Sequence, residues 1–414
     1  MSVPGVAGDM RWATAISRGS DVADLDEAIA GCAAEIRDGL GEGPVSLVLV
    51  FVTPHYADRY REIPALVLEH LGADALLGCS AGGVIGGGEE VEDAPAVTLT
   101  AARMEGVEVR GFRVAGTGAM PDLDGPPDAW EELVGIRAAE EPQFVLLADP
   151  FSSDPVTLLS GLDYAFPGAA KIGGLASGAR AAGDGALFLG EEYYASGTAG
   201  LAFTGDIAVD TVVAQGCKPI GEVMRITSCQ DNVLHELDER PAFKSLEELY
   251  ATLDERDRKL AGTALFVGVL MDEFEDEPGP GDFLVRNLIG VDPQKGSLAV
   301  GERLQEGMRV QFHLRDADAS AEDLRAVLTG YERTLGPGRA PNEVSGALLF
   351  SCLGRGEGLY GESGFDTGIF HERLGPVPVG GFFCNGEFGP VGGTSFLHGY
   401  TSSFGLFRPR EPGS

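Results

Sequence analysis

The stretch Leu76–Glu90, "LLGCSAGGVIGGGEE", follows an apolar run and contains G-x-S-x-G at Gly78, Ser80 and Gly82. A nucleophile elbow of that pattern turns straight from strand into helix, which exposes its serine beside oxyanion donors. Here six glycines between Gly78 and Gly88, and then Pro95, cannot propagate a helix. No downstream Asp and His stand in a setting that marks them as triad partners. The loop also lacks the lysine of a phosphate loop and the glycine spacing of a dinucleotide fold. The glycines are therefore expected to serve backbone geometry: positive φ, and close approach of main chain to main chain or to a small ligand.

Outward from this loop, "VSLVLVFV" (45–52) reads as a buried strand, and the stretch up to Gly72 as a helix despite Pro64. "PAVTLTAA" and "VEVRGFRV" follow as strands. A second round opens at "QFVLLADP" (143–150), with a helix over "DPVTLLSGLDYAF", the glycine-rich "KIGGLASG" and further strands. "LLGCSAGG" and "KIGGLASG" hold equivalent places, which suggests a duplicated unit. The acidic helix "KSLEELYATLDERDRKLAG" then marks a boundary. Beyond it come three strands, a helix capped by Ser320, the strand "VSGALLFSC", a helix near 365–374 and closing strands. The expectation is an α/β (α+β) fold of two mixed-sheet units, 12–255 and 256–408, with helices on the outer faces.

Composition narrows the function. A chain of 414 residues, 44% of them hydrophobic, is expected to fold as two domains. Its net charge of −34 opposes approach to a phosphate backbone, so nucleic acid is not an expected partner. Only five of the 30 cationic residues are lysine, a bias that fits either a GC-rich genome or a saline cytoplasm. No apolar run is long enough to span a bilayer, and residues 1–21 lack the basic and apolar regions of a leader. A cytoplasmic protein without membrane insertion is expected. Six cysteines and six histidines are scattered singly, which favours free thiols and points to no metal and no cofactor.

Two later glycine loops carry the chemistry. "FSCLGRGEG" places Ser351, Cys352 and Arg355 just past one strand, and "GGFFCNGEFG" places Cys384, Asn385 and Glu387 just past another. An arginine fork holds a carboxylate and a glutamate accepts from an ammonium, so the pair suits a zwitterion. Alternatively the two side chains tie neighbouring loops together. Cys79 and Ser80 complete the candidate ligand-binding set. Cys79, Cys352 and Cys384 read either as small buried hydrophobes or as the nucleophile of an enzyme.

Taken in order, "LLGCSAGGVIGGGEEVEDAPAVTL", "KIGGLASG", "QGCKPIGEVMRITSCQDNVLHELDERPAF", "ALLFSCLGRG", "PVGGFFCNGEFGP" and "LHGYTS" resemble the FIST family from about Trp12 to Phe407. The resemblance implies an intracellular sensory module that binds a small molecule, such as an amino acid or related metabolite. Because the chain leaves no room for an output domain, a separate signalling protein is expected as partner. A scaffold that binds no small ligand is the remaining alternative.

Overall fold

The computed structural model describes residues 9–19, 24–335 and 344–410. Residues 1–8 and 20–21, part of the stretch read for a leader, lie outside these, as does Gly336 at the end of the helix expected near Ser320. The chain forms two compact units. One takes the described residues up to Val213, Arg325–Leu397 and those from Thr401 on; the other takes Ala214–Leu324 and His398–Tyr400.

The first unit repeats one plan three times. In the first sheet the strands run Met10–Arg18, Ala96–Met104, Leu47–Val52, Ala75–Ser80, Leu187–Leu189, Glu192–Tyr194. In the second they run Val107–Val114, Thr198–Gly205, Gln143–Ala148, Lys171–Leu175, Glu387–Val391, Thr394–His398. The third has Ile207–Gln215, Thr401–Pro409, Gly346–Cys352, Val379–Cys384, Gly83–Gly86, Glu89–Glu92. The two central strands of each sheet are parallel, and a helix lies between them in the chain: Ile63–Leu71, Pro155–Ala165 or Phe365–Leu374. The two-round pattern in the sequence is thus a threefold one. The last two strands of every sheet are a hairpin taken from another repeat, the first lending to the third, the third to the second and the second to the first.

Strand periodicity sorts the side chains. Leu47, Leu49 and Phe51 face a core shared with Val145, Leu147, Leu348, Phe350 and Phe382 of the other two sheets. Their neighbours Val48, Val50 and Val52 meet Ile29, Cys32, Ile63 and Val67 of the outer helices. Phe144, Leu146 and Ala148 likewise meet Trp130, Leu158 and Leu162. The mixed α/β class with outer helices is as expected.

In the second unit, Cys217–Gln230, Arg309–Arg315, Leu265–Leu270, Phe283–Asp292, Ser297–Val300 and Val233–Leu237 pair in that order. Val233–Leu237 returns to Cys217–Gln230 and closes a barrel. Along the chain this barrel is an insertion between the edge strand and the first helix of the third repeat. The expected 244–262 helix is two, Ala242–Thr252 and Glu255–Ala261, because Asp254 caps the second by accepting from the Asp257 amide. Pro64 is tolerated because it sits in the first turn of Ile63–Leu71, where no amide partner is lost. Ser320 is not a cap: the helix starts at Ala317, and Asp316 Oδ1 accepts from the Asp318 and Ala319 amides. A short acid fits the amides left free by the first turn, and Ser320 lies buried within the helix.

Candidate functional site

In the registers of the three parallel pairs, Gly78 lies opposite Val50, Gly173 opposite Leu146 and Gly381 opposite Leu349. A Cβ on any of the three would overlap the carbonyl oxygen of the residue opposite. That shared need aligns "GCSAGG", "GGLASG" and "GFFCNG" residue for residue, and each pair ends in a glycine loop at Gly83, Gly178 or Gly386. The opening loop does not become a helix; it becomes the hairpin Gly83–Glu92. Its left-handed residues are Gly87 and Gly88, whereas Gly78 and Gly82 serve close approach.

The loops interlock. Ser177 Oγ donates to the Phe383 carbonyl and accepts from the Gly82 amide at 2.8 Å. Asn385, at the surface, donates to the Ala176 carbonyl at 3.2 Å. Ser80 is fully buried, its hydroxyl accepting from the Ala186 amide at 2.9 Å and its carbonyl from Gly178. No hydrogen bond to an imidazole or carboxylate activates it among the described residues, so the geometry of an activated nucleophile is missing.

Arg355 and Asp366 form a bidentate pair, Nε to Oδ2 and Nη2 to Oδ1, both at 2.9 Å, with each side chain 1% exposed. Ser351 and Ser402 also donate to Asp366 Oδ2, at 3.0 and 2.6 Å. Burial opposes both charges; Asp366 outweighs it to raise the Arg355 pKa, and Arg355 outweighs it to lower that of Asp366. The arginine's fork is therefore filled from within the chain. Glu387 accepts from the Thr401 amide and hydroxyl at 3.2 and 2.7 Å. Its Oε1 and Arg355 Nη1 are buried without a hydrogen-bond partner among the described residues. Cys79, Cys352 and Cys384 are buried, and burial raises the thiol pKa of Cys79 and Cys384 well above the ordinary range. This suppresses the thiolate that a nucleophile needs.

Burial lifts the Glu387 carboxyl from 4.5 to about 8. Since the folded protein holds this proton where the unfolded chain releases it, the contribution to stability is complete below about pH 4.5 and lost as pH rises towards 8. Glu90 pushes the same way, lifted to about 7 first by burial and then by Asp366. Urea unfolding at about pH 5 and pH 8.5 should therefore show Glu387→Gln losing less stability than wild type across that interval. Equal losses would mean that Glu387 does not carry its proton.

Above this network opens a cleft of about 720 Å³, lined by loops that follow parallel strands of the first and second sheets. Gly82, Ser177 and Gly178 line it, as does Tyr60 with its hydroxyl buried. Asp58, Asp93, Asp184 and Arg180 stand at its exposed walls. The Arg180 side chain enters no ion pair or hydrogen bond among the described residues. Thus the structure gathers Arg355, Ser351, Cys352, Cys384, Cys79 and Glu387 in the buried layer, while the cleft takes Gly82, Asp93, Ser177 and Gly178 from the quoted motifs and adds Arg180, Asp58 and Asp184, which no motif singled out. One signal was available: "ARAAGDGA" (179–186) is an insertion that only the second repeat carries before its hairpin.

An uncharacterised protein of Mycobacterium bovis is 35% identical over 391 residues, which cover 93% of this chain and 96% of that protein. One of Mycobacterium tuberculosis is 34% identical over 392 residues, 94% of this chain and 98% of its own length. Among solved structures, a cyanuric acid hydrolase from A. caulinodans aligns over 97% of this chain and 100% of its own, at 8% identity and a TM-score of 0.35. That likeness is too distant to bear on fold or chemistry. The profile of the FIST N domain matches residues 46–240 and that of the FIST C domain residues 242–390. With both domains in order along it, the chain belongs to the FIST family, whose domains are sensory modules of signal transduction.

Proposed function

We propose that the protein is a cytoplasmic sensor of a small zwitterion, an amino acid or related metabolite, held in the cleft over Gly82 and Ser177, and that it signals through a separate protein. The observation that carries this reading is Arg180, an arginine without an ion-pair partner among the described residues, in a cleft whose other charged side chains include Asp58, Asp93 and Asp184. Its fork suits a carboxylate, the aspartates attract an ammonium, and the glycine loops let a ligand reach main-chain groups. In this reading Arg355, Glu387, Asn385, Ser351, Cys352, Cys384, Cys79 and Ser80 hold the loops from below. No described helix is long and apolar enough to cross a membrane.

A thermal-shift screen of amino acids against their deaminated and decarboxylated analogues tests the proposal, since a ligand that binds only the native state must raise its melting temperature. Arg180→Ala should weaken a zwitterionic hit by about 1.5–3 kcal/mol, the range for a hydrogen bond to a charged group. The ligand-free melting temperature should stay put, because Arg180 is exposed. Undiminished affinity in Arg180→Ala would place the ligand elsewhere.

A further inference from the structure

The barrel unit carries a feature that sensing does not use. Between Leu265–Leu270 and Phe283–Asp292 the chain reads "MDEFEDEPGPGD" (271–282), and Phe274 at its tip is 93% exposed. Asp272, Glu273, Glu275, Asp276 and Glu277 flank it, all exposed, and no ion pair neutralises any of them among the described residues.

This loop is held rather than loose. One nitrogen of Arg309, Nη2, donates to the carbonyls of Asp272, Glu273 and Glu275 at 3.4, 2.7 and 2.7 Å. The Phe274 amide donates to Asp272 Oδ1 at 2.9 Å and the Glu277 amide to Glu275 Oε1 at 3.1 Å. Arg309 thus spends its charge on the main chain, and the acidic side chains keep their negative charge without an ion pair among the described residues. The result is a shaped tip that keeps an aromatic ring in water inside a ring of negative charge.

We infer that this tip is a docking element for a protein partner that offers an apolar pocket rimmed by lysine or arginine. The ring supplies an aromatic anchor of the kind that dominates interface energies, and the acids supply steering and orientation. An acidic tip is repelled by anionic lipid, so the complementary surface is a basic protein and not a membrane. The inference does not depend on which ligand the cleft takes, or on whether it takes one.

The test uses the full-length protein carrying Phe274→Trp. The two native tryptophans, Trp12 and Trp130, are buried, so emission from position 274 reports burial of the tip. An amphipathic Lys/Leu helical peptide should shift that emission to the blue, whereas poly-lysine and phosphatidylcholine vesicles should not. With the residue changed instead by Phe274→Ala, affinity for the Lys/Leu peptide should fall at least tenfold while affinity for poly-lysine holds. Combining Glu273→Gln, Glu275→Gln and Asp276→Asn should weaken the peptide and flatten its salt dependence. A Phe274→Ala affinity within twofold of wild type, equal binding of poly-lysine, or a blue shift on vesicles would each overturn the proposal.

Discussion

Arg355→Met is expected to destabilise the protein by about 3–5 kcal/mol, the cost of breaking a buried ion pair by removing one partner. Asp366 would be left as a buried carboxylate with only the hydroxyls of Ser351 and Ser402 to support it. Adding Asp366→Leu removes the stranded charge and should recover much of the loss, since an apolar pair of similar volume can replace a buried ion pair. Arg355→Lys should fall between, because an ammonium keeps the charge and loses the two-point geometry. Urea unfolding of the four proteins checks this, and a loss below about 1 kcal/mol in Arg355→Met would show that solvent already reaches the pair.

Gly381→Ala is expected to cost about 2–4 kcal/mol, at or above the usual range for overpacking, because the intruded atom is main chain and cannot swing aside. The added methyl would overlap the Leu349 carbonyl oxygen, at a φ of +157° that side chains rarely adopt. Gly173→Ala should behave alike against Leu146, at a φ of +141°. Gly368→Ala is the control: that glycine lies in the Phe365–Leu374 helix with nothing within 4 Å of a new Cβ. There the change should stabilise by about 0.5–1 kcal/mol. If Gly381→Ala melts with the control, the strands separate more easily than their register implies.

These glycines also show what could be read in advance. The strands at Leu47–Val52, Gln143–Ala148 and Gly346–Cys352 stand out as apolar runs, and the loop after Gly78 betrays itself as non-helical. The likeness of "GCSAGG" to "GGLASG" gives two repeats. The third, "GFFCNG", is harder to see because the barrel separates it from the others and only the geometrically compelled glycines and a small fourth residue persist. Arg355 was visible as a carboxylate holder, but its carboxylate is Asp366, eleven positions on in the same chain. Sequence spacing alone does not show which acid a buried arginine will meet. Arg180, Asp58 and Asp184 carried no motif, and Asp93 lay in one without standing out, since a binding wall assembled from separate loops is defined by tertiary proximity.

The lending of hairpins from sheet to sheet has a consequence for how the chain acquires its shape. On the side away from their own hairpin partners Val91 and Glu90, Val84 and Ile85 pair with Phe382 and Gly381, near the other end of the polypeptide. During synthesis the hairpin of the first repeat must wait, with its strand edges open, until the last repeat has emerged. Such long-range pairing slows folding, and unpaired edges recruit other chains meanwhile. Two nascent copies at close quarters could satisfy each other's vacancies by trading hairpins, giving interlocked dimers that a dilution step would not separate. A fragment ending before Val379 would lack a home for that hairpin altogether. Truncation should then abolish the fold of the first unit as a whole instead of trimming it one repeat at a time.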